Sequence, residues 1–417
     1  MYARAMVIII IISYLVVTHA LEQAVIAPKT QYIIHNPGAS HIGIPTSSAL
    51  RQFRHDDGSC GGFVAFGDSY SAGIGTGVEG EENDCRQGLH AYPQLIAADC
   101  GPTAFQFLSC TGAGTTDVMV GEDASSSSAS LPADFALLSI GGNDLGFFEV
   151  MNACVFRFYN FYSGTCETAL AHSRAMLASD EFENRLRIVI MEILDKIRWE
   201  KKPWFTITMT GYARFFNELT DGCDNMSFGV WWDGPRLTKA LRSEMNALVL
   251  TVNTKLRKTI DAINSDFTKD KVIFIDYDDA FDGHRFCEVN VTEPDYERTD
   301  TWFFLVGGPD NARNGTESQR LSEAKTLPPS SPLVDPLLCV GPARQSGDWG
   351  MLALCYMAMT KYLNPTLRSA QGAQGDIQAM NSMWYVPTYY GKTFHPKSLG
   401  HEMIRNRIYE TWHRVDE

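Results

Sequence analysis

The 417-residue sequence lacks a concentrated patch of positive charge, since its 49 acidic residues outnumber 35 basic ones and give a formal net charge of −14. Proteins that bind nucleic acid or an anionic membrane surface usually carry such a patch, so neither is an expected partner. The sequence also has no CxxC pair and no His/Cys cluster at the spacing of zinc ligands. Beyond the first 20 residues it has no uninterrupted apolar run of about 20 residues, the length that a membrane-spanning helix needs. We therefore expect no stable membrane insertion.

The first 20 residues have the order of a secretory signal peptide. A short start carrying Arg4 precedes the apolar run VIIIIISYLVV, which ends near Ala20. This order of charged, apolar and small residues is typical of a cleaved signal. We predict a signal peptide over residues 1–20 and a secreted mature protein, with a retained membrane anchor as the alternative.

Cysteines and glycosylation sequons agree with export. The chain has ten cysteines, an even number that suggests disulfides in an oxidising compartment, although the sequence alone does not fix their pairing. Sequons of the form Asn-X-Ser/Thr occur at Asn225, Asn290 and Asn314. They predict a glycosylated surface.

Short apolar runs alternate with helical stretches through most of the chain. The strand-like runs lie at 63–66, 104–110, 134–142, 204–212 and 271–279, and the helical periods lie at 90–100, 181–200 and 235–264. This alternation predicts an α/β fold with a parallel sheet covered by helices on both faces. We expect residues 21–58 to be an N-terminal extension and residues 59–417 to form the main domain. Pro, Ser and Gly interrupt the alternation within an insertion at about 306–391.

Polar residues with complementary chemistry follow these strands. Ser69 follows the first strand, Gly112 the second and Asn143 the third, while His395 lies near the C-terminus. In doubly wound sheets, ligands bind at the carboxyl ends of the strands. A serine hydroxyl needs a base such as histidine to become a nucleophile, and an oxyanion needs fixed hydrogen-bond donors. Taken singly, Ser69 and Gly112 also suit ordinary turns, and Asn143 suits a cap.

Four sequence blocks, GDSYSAG, CTGAGTTDV, SIGGNDLGF and FHPKSLGH, resemble in this order the SGNH (GDSL-type) hydrolases, and most closely their secreted, disulfide-bonded esterase and lipase branch. The resemblance implies a three-layer, flavodoxin-like fold with a central five-stranded parallel sheet in the order 2-1-3-4-5. It also implies that Ser69 is the nucleophile and His395 the base. The backbone N–H groups of Ser69 and Gly112 and the side chain of Asn143 would form the oxyanion hole, with no metal or organic cofactor.

One position departs from the family pattern. Many members have an aspartate three residues before the histidine, where this chain has Lys392. In the branch that the chain resembles, a main-chain carbonyl replaces the acid, so we predict that the Lys392 carbonyl orients His395. The alternative is an acid from elsewhere in the chain, for which the candidates are Asp276, Asp278 and Asp279.

The resemblance also bears on cysteines and on the acyl site. Proteins of this branch typically have a disulfide after the first block, which Cys85–Cys110 would match, and Cys154–Cys166 and Cys223–Cys287 are further candidate pairs. Trp231 and Trp232, with Phe228, either line an acyl pocket or form an ordinary apolar cluster.

The expected function is that of a serine esterase or lipase acting on a small-molecule, lipid or glycan ester. The motifs leave two alternatives open. One is a polysaccharide acetyl esterase of the same fold, and the other is a catalytically silent surface or binding protein that retains the fold.

Overall fold

A computed structural model describes residues 60–77, 83–119, 133–156, 165–228, 235–295, 298–306, 308–312 and 388–415. The predicted signal peptide, the predicted N-terminal extension and most of the predicted insertion lie outside these residues. So do Trp231, Trp232, Asn314, Cys339 and Cys355.

Five parallel strands form one sheet. They are β1 (Phe63–Gly67), β2 (Phe105–Phe107), β3 (Phe135–Ser139), β4 (Thr206–Thr210) and β5 (Val272–Ile275). Their spatial order is β2-β1-β3-β4-β5, which confirms the predicted order. The central strand β3 is buried along its whole length, in agreement with the near-continuous apolar sequence of a strand covered on both faces.

In the described part of the chain, seven α-helices lie on the segments between strands and two follow β5. In chain order they are α1 (Ser69–Ala72), α2 (Tyr92–Cys100), α3 (Thr115–Met119), α4 (Phe147–Met151), α5 (Cys166–Ala178), α6 (Glu181–Ile197), α7 (Lys239–Asn264), α8 (Thr388–Gly391) and α9 (Ser398–Val415). The helix α7 begins later than its period predicts because the hydroxyl of Thr238 caps it by accepting the N–H of Leu241.

The C-terminal helix α9 is anchored in the core. Trp412 is fully buried, and its indole N–H donates to the hydroxyl of Thr208 on β4 at 2.9 Å. Its ring also packs edge-on against Phe135 of β3. Because α9 directly follows the histidine block, this anchorage fixes the distance of that block from the sheet.

Four disulfides occur among the described residues. The structure contains Cys85–Cys110, the pair that the family resemblance implied, and the further candidate pairs Cys154–Cys166 and Cys223–Cys287. It adds Cys60–Cys100. A bridge that closes a loop of the size of Cys85–Cys110 contributes about 3 kcal/mol to stability in the chain-entropy view. Across the same described segments, no helix combines the length and the apolar character that a bilayer span requires.

Candidate functional site

The first sequence block forms a sharp turn that places Ser69 at the end of β1. Gly67 has φ +149°, and a Cβ there would lie 2.4 Å from the carbonyl oxygen of Ser139, so only glycine fits. Asp68 then caps α1 by accepting the N–H of Tyr70 at 3.0 Å. Ser69 is the first residue of this short helix.

The histidine block is a loop held by backbone hydrogen bonds to the segment 302–304. Phe394 N–H donates to Phe304 O at 2.8 Å, Phe304 N–H donates to His395 O at 3.0 Å, and Lys397 N–H donates to Trp302 O at 2.7 Å. Phe394 adopts the left-handed conformation with φ +65° although it is not glycine. Such a backbone persists only where its surroundings fix it, and the fully buried phenyl ring of Phe394 supplies that constraint.

Ser69 and His395 meet although 326 residues separate them. The imidazole Nε2 of His395 lies 2.7 Å from the hydroxyl oxygen of Ser69. The neighbouring Tyr70 reinforces this approach, since its hydroxyl donates to the carbonyl of Phe394 at 2.7 Å. Both members of the pair are buried, at 5% and 2% exposure. This is the geometry in which an imidazole can accept a hydroxyl proton.

Burial sets the protonation state of the histidine. Desolvation lowers the pKa of His395 to about 4, and hydrogen bonds to the backbone carbonyls of Thr393 and Lys392 offset only part of that effect. A neutral imidazole therefore predominates at neutral pH, and only the neutral form can act as a base.

The carbonyl that the imidazole contacts differs by one residue from the prediction. Nδ1 of His395 lies 3.1 Å from the carbonyl oxygen of Thr393. The carbonyl of Lys392, which we expected in this position, instead accepts the backbone N–H of His395 at 2.9 Å and has the smaller effect on the imidazole pKa. The left-handed Phe394, between Thr393 and His395, turns the chain so that the Thr393 carbonyl lies beside the imidazole.

The three alternative aspartates have other partners. The carboxylate of Asp278 accepts two hydrogen bonds from Arg214 and one from Arg285, which also donates to the backbone carbonyl of Asp278. Asp276 accepts the N–H of Asp278, and Asp279 pairs with Arg407 at the surface. These ion pairs account for the carboxylates without a contact to the histidine.

The predicted oxyanion donors are placed as follows. Gly112 has φ +84°. In the described part of the chain, neither the N–H of Gly112 nor that of Ser69 has an acceptor within hydrogen-bond range. The amide Nδ2 of Asn143 donates to the carbonyl of Ala113 at 2.9 Å, which ties Asn143 to the Gly112 loop. An amide nitrogen carries two hydrogens, so Asn143 keeps one for a ligand.

A second network joins three strand ends beneath the serine. The hydroxyl of Tyr212 donates to Asp68 at 2.8 Å and accepts the N–H of Gly142 at 3.1 Å. Burial raises the pKa of Asp68 to about 7, although these hydrogen bonds oppose the shift. Tyr212 is absent from the sequence predictions because it lies in no motif, and only its place after the fourth strand could have indicated it.

Asp310 is a further residue that the sequence did not indicate. Its carboxylate accepts the N–H of Gly77 at 3.0 Å and both the N–H (2.9 Å) and the hydroxyl (2.5 Å) of Ser398. Burial raises the pKa of Asp310, but hydrogen bonds from His90, Ser398 and Gly77 outweigh it and hold that pKa well below its usual range. The carboxylate thus joins the loop after Ser69 to the start of α9, next to His395.

An apolar cavity of about 690 Å³, including the part open to solvent, begins at Ser69. Asp68, Gly142, Asn143 and Tyr212 line its polar end. The remaining wall is almost entirely apolar and comes mainly from α4, α5 and α7, with Leu145, Phe147, Val150, Met151, Leu177, Phe215, Met245, Leu248, Val249 and Val252. The hydroxyl of Ser173 in that part already donates to Leu145 O at 2.6 Å, and the hydroxyl of Tyr70, which also lines the cavity, donates to Phe394 O.

A sequence profile of the GDSL-like Lipase/Acylhydrolase family matches residues 65–296. The chain belongs to this family. The match begins within β1 and extends beyond β5, so it includes the last three residues of β1 and all of β2 to β5. Members are hydrolases of carboxylic esters, and this chain is therefore a lipase or acylhydrolase.

Individual relatives are bacterial lipases. Lipase 1 of Streptomyces coelicolor is 31% identical over 251 residues, covering 60% of this chain and 80% of that protein. A lipase of Streptomyces rimosus is 28% identical over 226 residues, covering 54% and 73%. Among solved structures, phospholipase A1 from Streptomyces albidoflavus is 28% identical, covers 59% of this chain and 87% of its own, and superposes with a TM-score of 0.44.

The predicted glycosylation sites fall at the surface where the structure describes them. Asn225 and Asn290 are both exposed. Modification of either remains a prediction.

Proposed function

We propose that this protein is a secreted serine esterase or lipase that hydrolyses esters of apolar acyl chains. The observation that carries this proposal is the apolar cavity that begins at the hydroxyl of Ser69. An acyl group attached to Ser69 would have its chain in that cavity. Burying an acyl chain there contributes about 0.8 kcal/mol per methylene group, which favours lipid esters over acetyl esters.

The reaction uses Ser69 as nucleophile and His395 as base. The 2.7 Å separation of their reacting atoms supports direct proton transfer from the hydroxyl to Nε2. The serine oxygen then forms a bond to the ester carbonyl carbon. The imidazolium returns its proton to the leaving alcohol as the ester C–O bond breaks, which leaves an acyl-enzyme. Water, deprotonated by the same imidazole, then attacks the acyl carbon. As the bond from that carbon to the Ser69 oxygen breaks, the imidazolium returns the proton to the serine oxygen and the carboxylic acid is released.

Two features support stabilisation of the charges that form in this reaction. The N–H groups of Ser69 and Gly112 and the free hydrogen of Asn143 are the donors for the oxyanion. The carbonyl of Thr393, assisted by that of Lys392, accepts the Nδ1 hydrogen and stabilises the imidazolium. In this scheme two peptide dipoles perform the task of the missing aspartate.

The identity of the substrate is open to a direct test. We expect purified protein to hydrolyse p-nitrophenyl octanoate and phosphatidylcholine with a higher kcat/KM than p-nitrophenyl acetate, and to release little acetate from acetylated xylan. Faster release from xylan than from octanoyl esters would instead indicate a polysaccharide acetyl esterase. Failure to hydrolyse any of these substrates, in folded protein, would support the silent binding protein.

Export is the remaining part of the proposal. The four disulfides and the signal-like first 20 residues support it, and the related Streptomyces rimosus protein is described as an extracellular lipase. N-terminal sequencing of protein recovered from the medium should start after Ala20. An intact Met1 in a membrane fraction would contradict export and indicate the retained anchor.

A further inference from the structure

We propose that the acyl cavity continues across the seam between α5 and α7 into an outer groove, which binds the distal part of long fatty acyl chains. This inference rests on the proposed function, because it concerns the acyl chain of the same ester. The outer groove encloses about 630 Å³, including space open to solvent. It is lined by Arg174, Leu177, Ala178, Glu244, Ala247, Leu248 and Thr251.

The two cavities share a wall. Leu177 of α5 and Leu248 of α7 line both the inner cavity and the outer groove. An acyl chain that is fixed at Ser69 and extends along the inner cavity would reach these leucines, which also form part of the wall of the outer groove. Leu248 is only partly buried, and side chains at such positions change rotamer within picoseconds to nanoseconds, so Leu248 can move aside without movement of the helices.

The groove is shaped for a thin apolar ligand. Its sides are the small residues Ala178, Ala247 and Thr251, and the hydroxyl of Thr251 already donates to the carbonyl of Ala247 at 2.7 Å. The side chains of these three residues therefore present methyl groups to the groove, and the one hydroxyl among them already has a hydrogen-bond partner. A hydrocarbon chain needs no directional contact and gains from each methylene that it removes from water.

An ion pair bridges the groove at its rim. Arg174 of α5 contacts Glu244 of α7, and their side chains are 48% and 41% exposed. Exposed ion pairs contribute only about 0.2–1 kcal/mol, so this contact can open at little cost. When closed it covers the chain with the aliphatic stem of the arginine. The occupant that fits these features is the end of the substrate's own acyl chain.

The test uses tryptophan substitutions that fill the groove without entering the inner cavity. Ala247→Trp fills it from α7 and Ala178→Trp from α5, since both alanines are exposed. Ala262→Trp is the matched control, because Ala262 is an exposed alanine of α7 that lines neither cavity. The measurement is kcat/KM for p-nitrophenyl butyrate, octanoate and palmitate at one detergent concentration.

We expect each groove variant to lower kcat/KM for palmitate by about tenfold or more and to leave butyrate within about twofold, with the Ala262→Trp control unchanged throughout. Unchanged palmitate hydrolysis in both groove variants would overturn the inference, as would an equal loss at every chain length. Wild-type protein that hydrolyses butyrate and octanoate but not palmitate would also overturn it while leaving the proposed function intact. Protein inactive on all three esters would overturn both.

Discussion

The serine–histidine end of the sheet and the apolar cavity beside it are held together by different forces. At the serine–histidine end, directional hydrogen bonds at 2.7–3.1 Å fix His395 on one side to Ser69 and on the other to Thr393. In the cavity, aliphatic side chains of α4, α5 and α7 meet through non-directional contacts. Directional contacts tolerate almost no displacement, whereas apolar packing tolerates changes of shape. Substitutions at the first region should abolish the reaction, and substitutions at the second should change only the preferred chain length.

The largest effect should follow from loss of the base. His395→Gln removes the proton acceptor of Ser69, so we expect kcat for p-nitrophenyl octanoate to fall by at least about 10³-fold with unchanged circular dichroism. Asp279→Asn is the control, because Asp279 is 69% exposed and pairs only at the surface. A comparable loss of kcat in Asp279→Asn would indicate that Asp279 takes part in the mechanism.

Loss of Asp310 should have the next largest effect. Without its carboxylate the loop after Ser69 and the start of α9 lose their common anchor, and small misplacements of reacting groups cost up to about 10²-fold. We expect Asp310→Ala to lower kcat by about 10- to 100-fold with KM nearly unchanged, and Asp310→Asn to recover part of it by still accepting the N–H of Ser398. A rise in KM with unchanged kcat would instead indicate that Asp310 contributes to substrate binding.

The apolar cavity should respond only through chain length. Val249→Asn places an amide in the cavity wall, where burying it without partners costs about 1–3 kcal/mol. We expect kcat/KM for octanoate to fall by about tenfold while that for acetate changes less than about twofold. Leu250→Asn, at an exposed position on the same helix, is the control. An equal fall for both esters would mean that the two regions are not independent.

The smallest effect concerns pH. Desolvation lowers the pKa of His395, so the neutral base persists as the pH falls and is lost only near about pH 4. We expect the acidic limb of the kcat/KM profile to lie near that value and activity to change little between about pH 6 and 7.5. An inflection near 6.5, with the fold intact by circular dichroism, would show that the imidazole is better solvated than the structure indicates.

Much of this architecture could be predicted from the sequence. Apolar periodicity predicts the five strands, and the family resemblance predicts their order in the sheet. The contacts that hold the site could not be predicted. Asp310 acts through residues 88 and 233 positions away. The imidazole contacts the carbonyl of Thr393, and not that of Lys392, because Phe394 is left-handed. No glycine stands at that position to indicate such a conformation in the sequence.

The cavity was also hidden in the sequence for a physical reason. Its lining residues on α5 and α7, such as Leu177 and Val249, repeat at helical spacing and are indistinguishable by pattern from ordinary core residues. Phe228, which we considered for an acyl pocket together with Trp231 and Trp232, packs instead against Phe286 and Phe394. Its ring therefore supports the histidine loop and does not line the cavity.

The central claim is that Ser69, activated by His395 without a carboxylate, forms the covalent bond to the acyl group. The most direct measurement is the mass of the intact protein after exposure to an alkyl fluorophosphonate, followed by peptide mapping. We expect one adduct, on Ser69, that is absent from Ser69→Ala and forms at least about 10²-fold more slowly in His395→Gln. An adduct on another residue, or undiminished labelling of His395→Gln, would contradict the account.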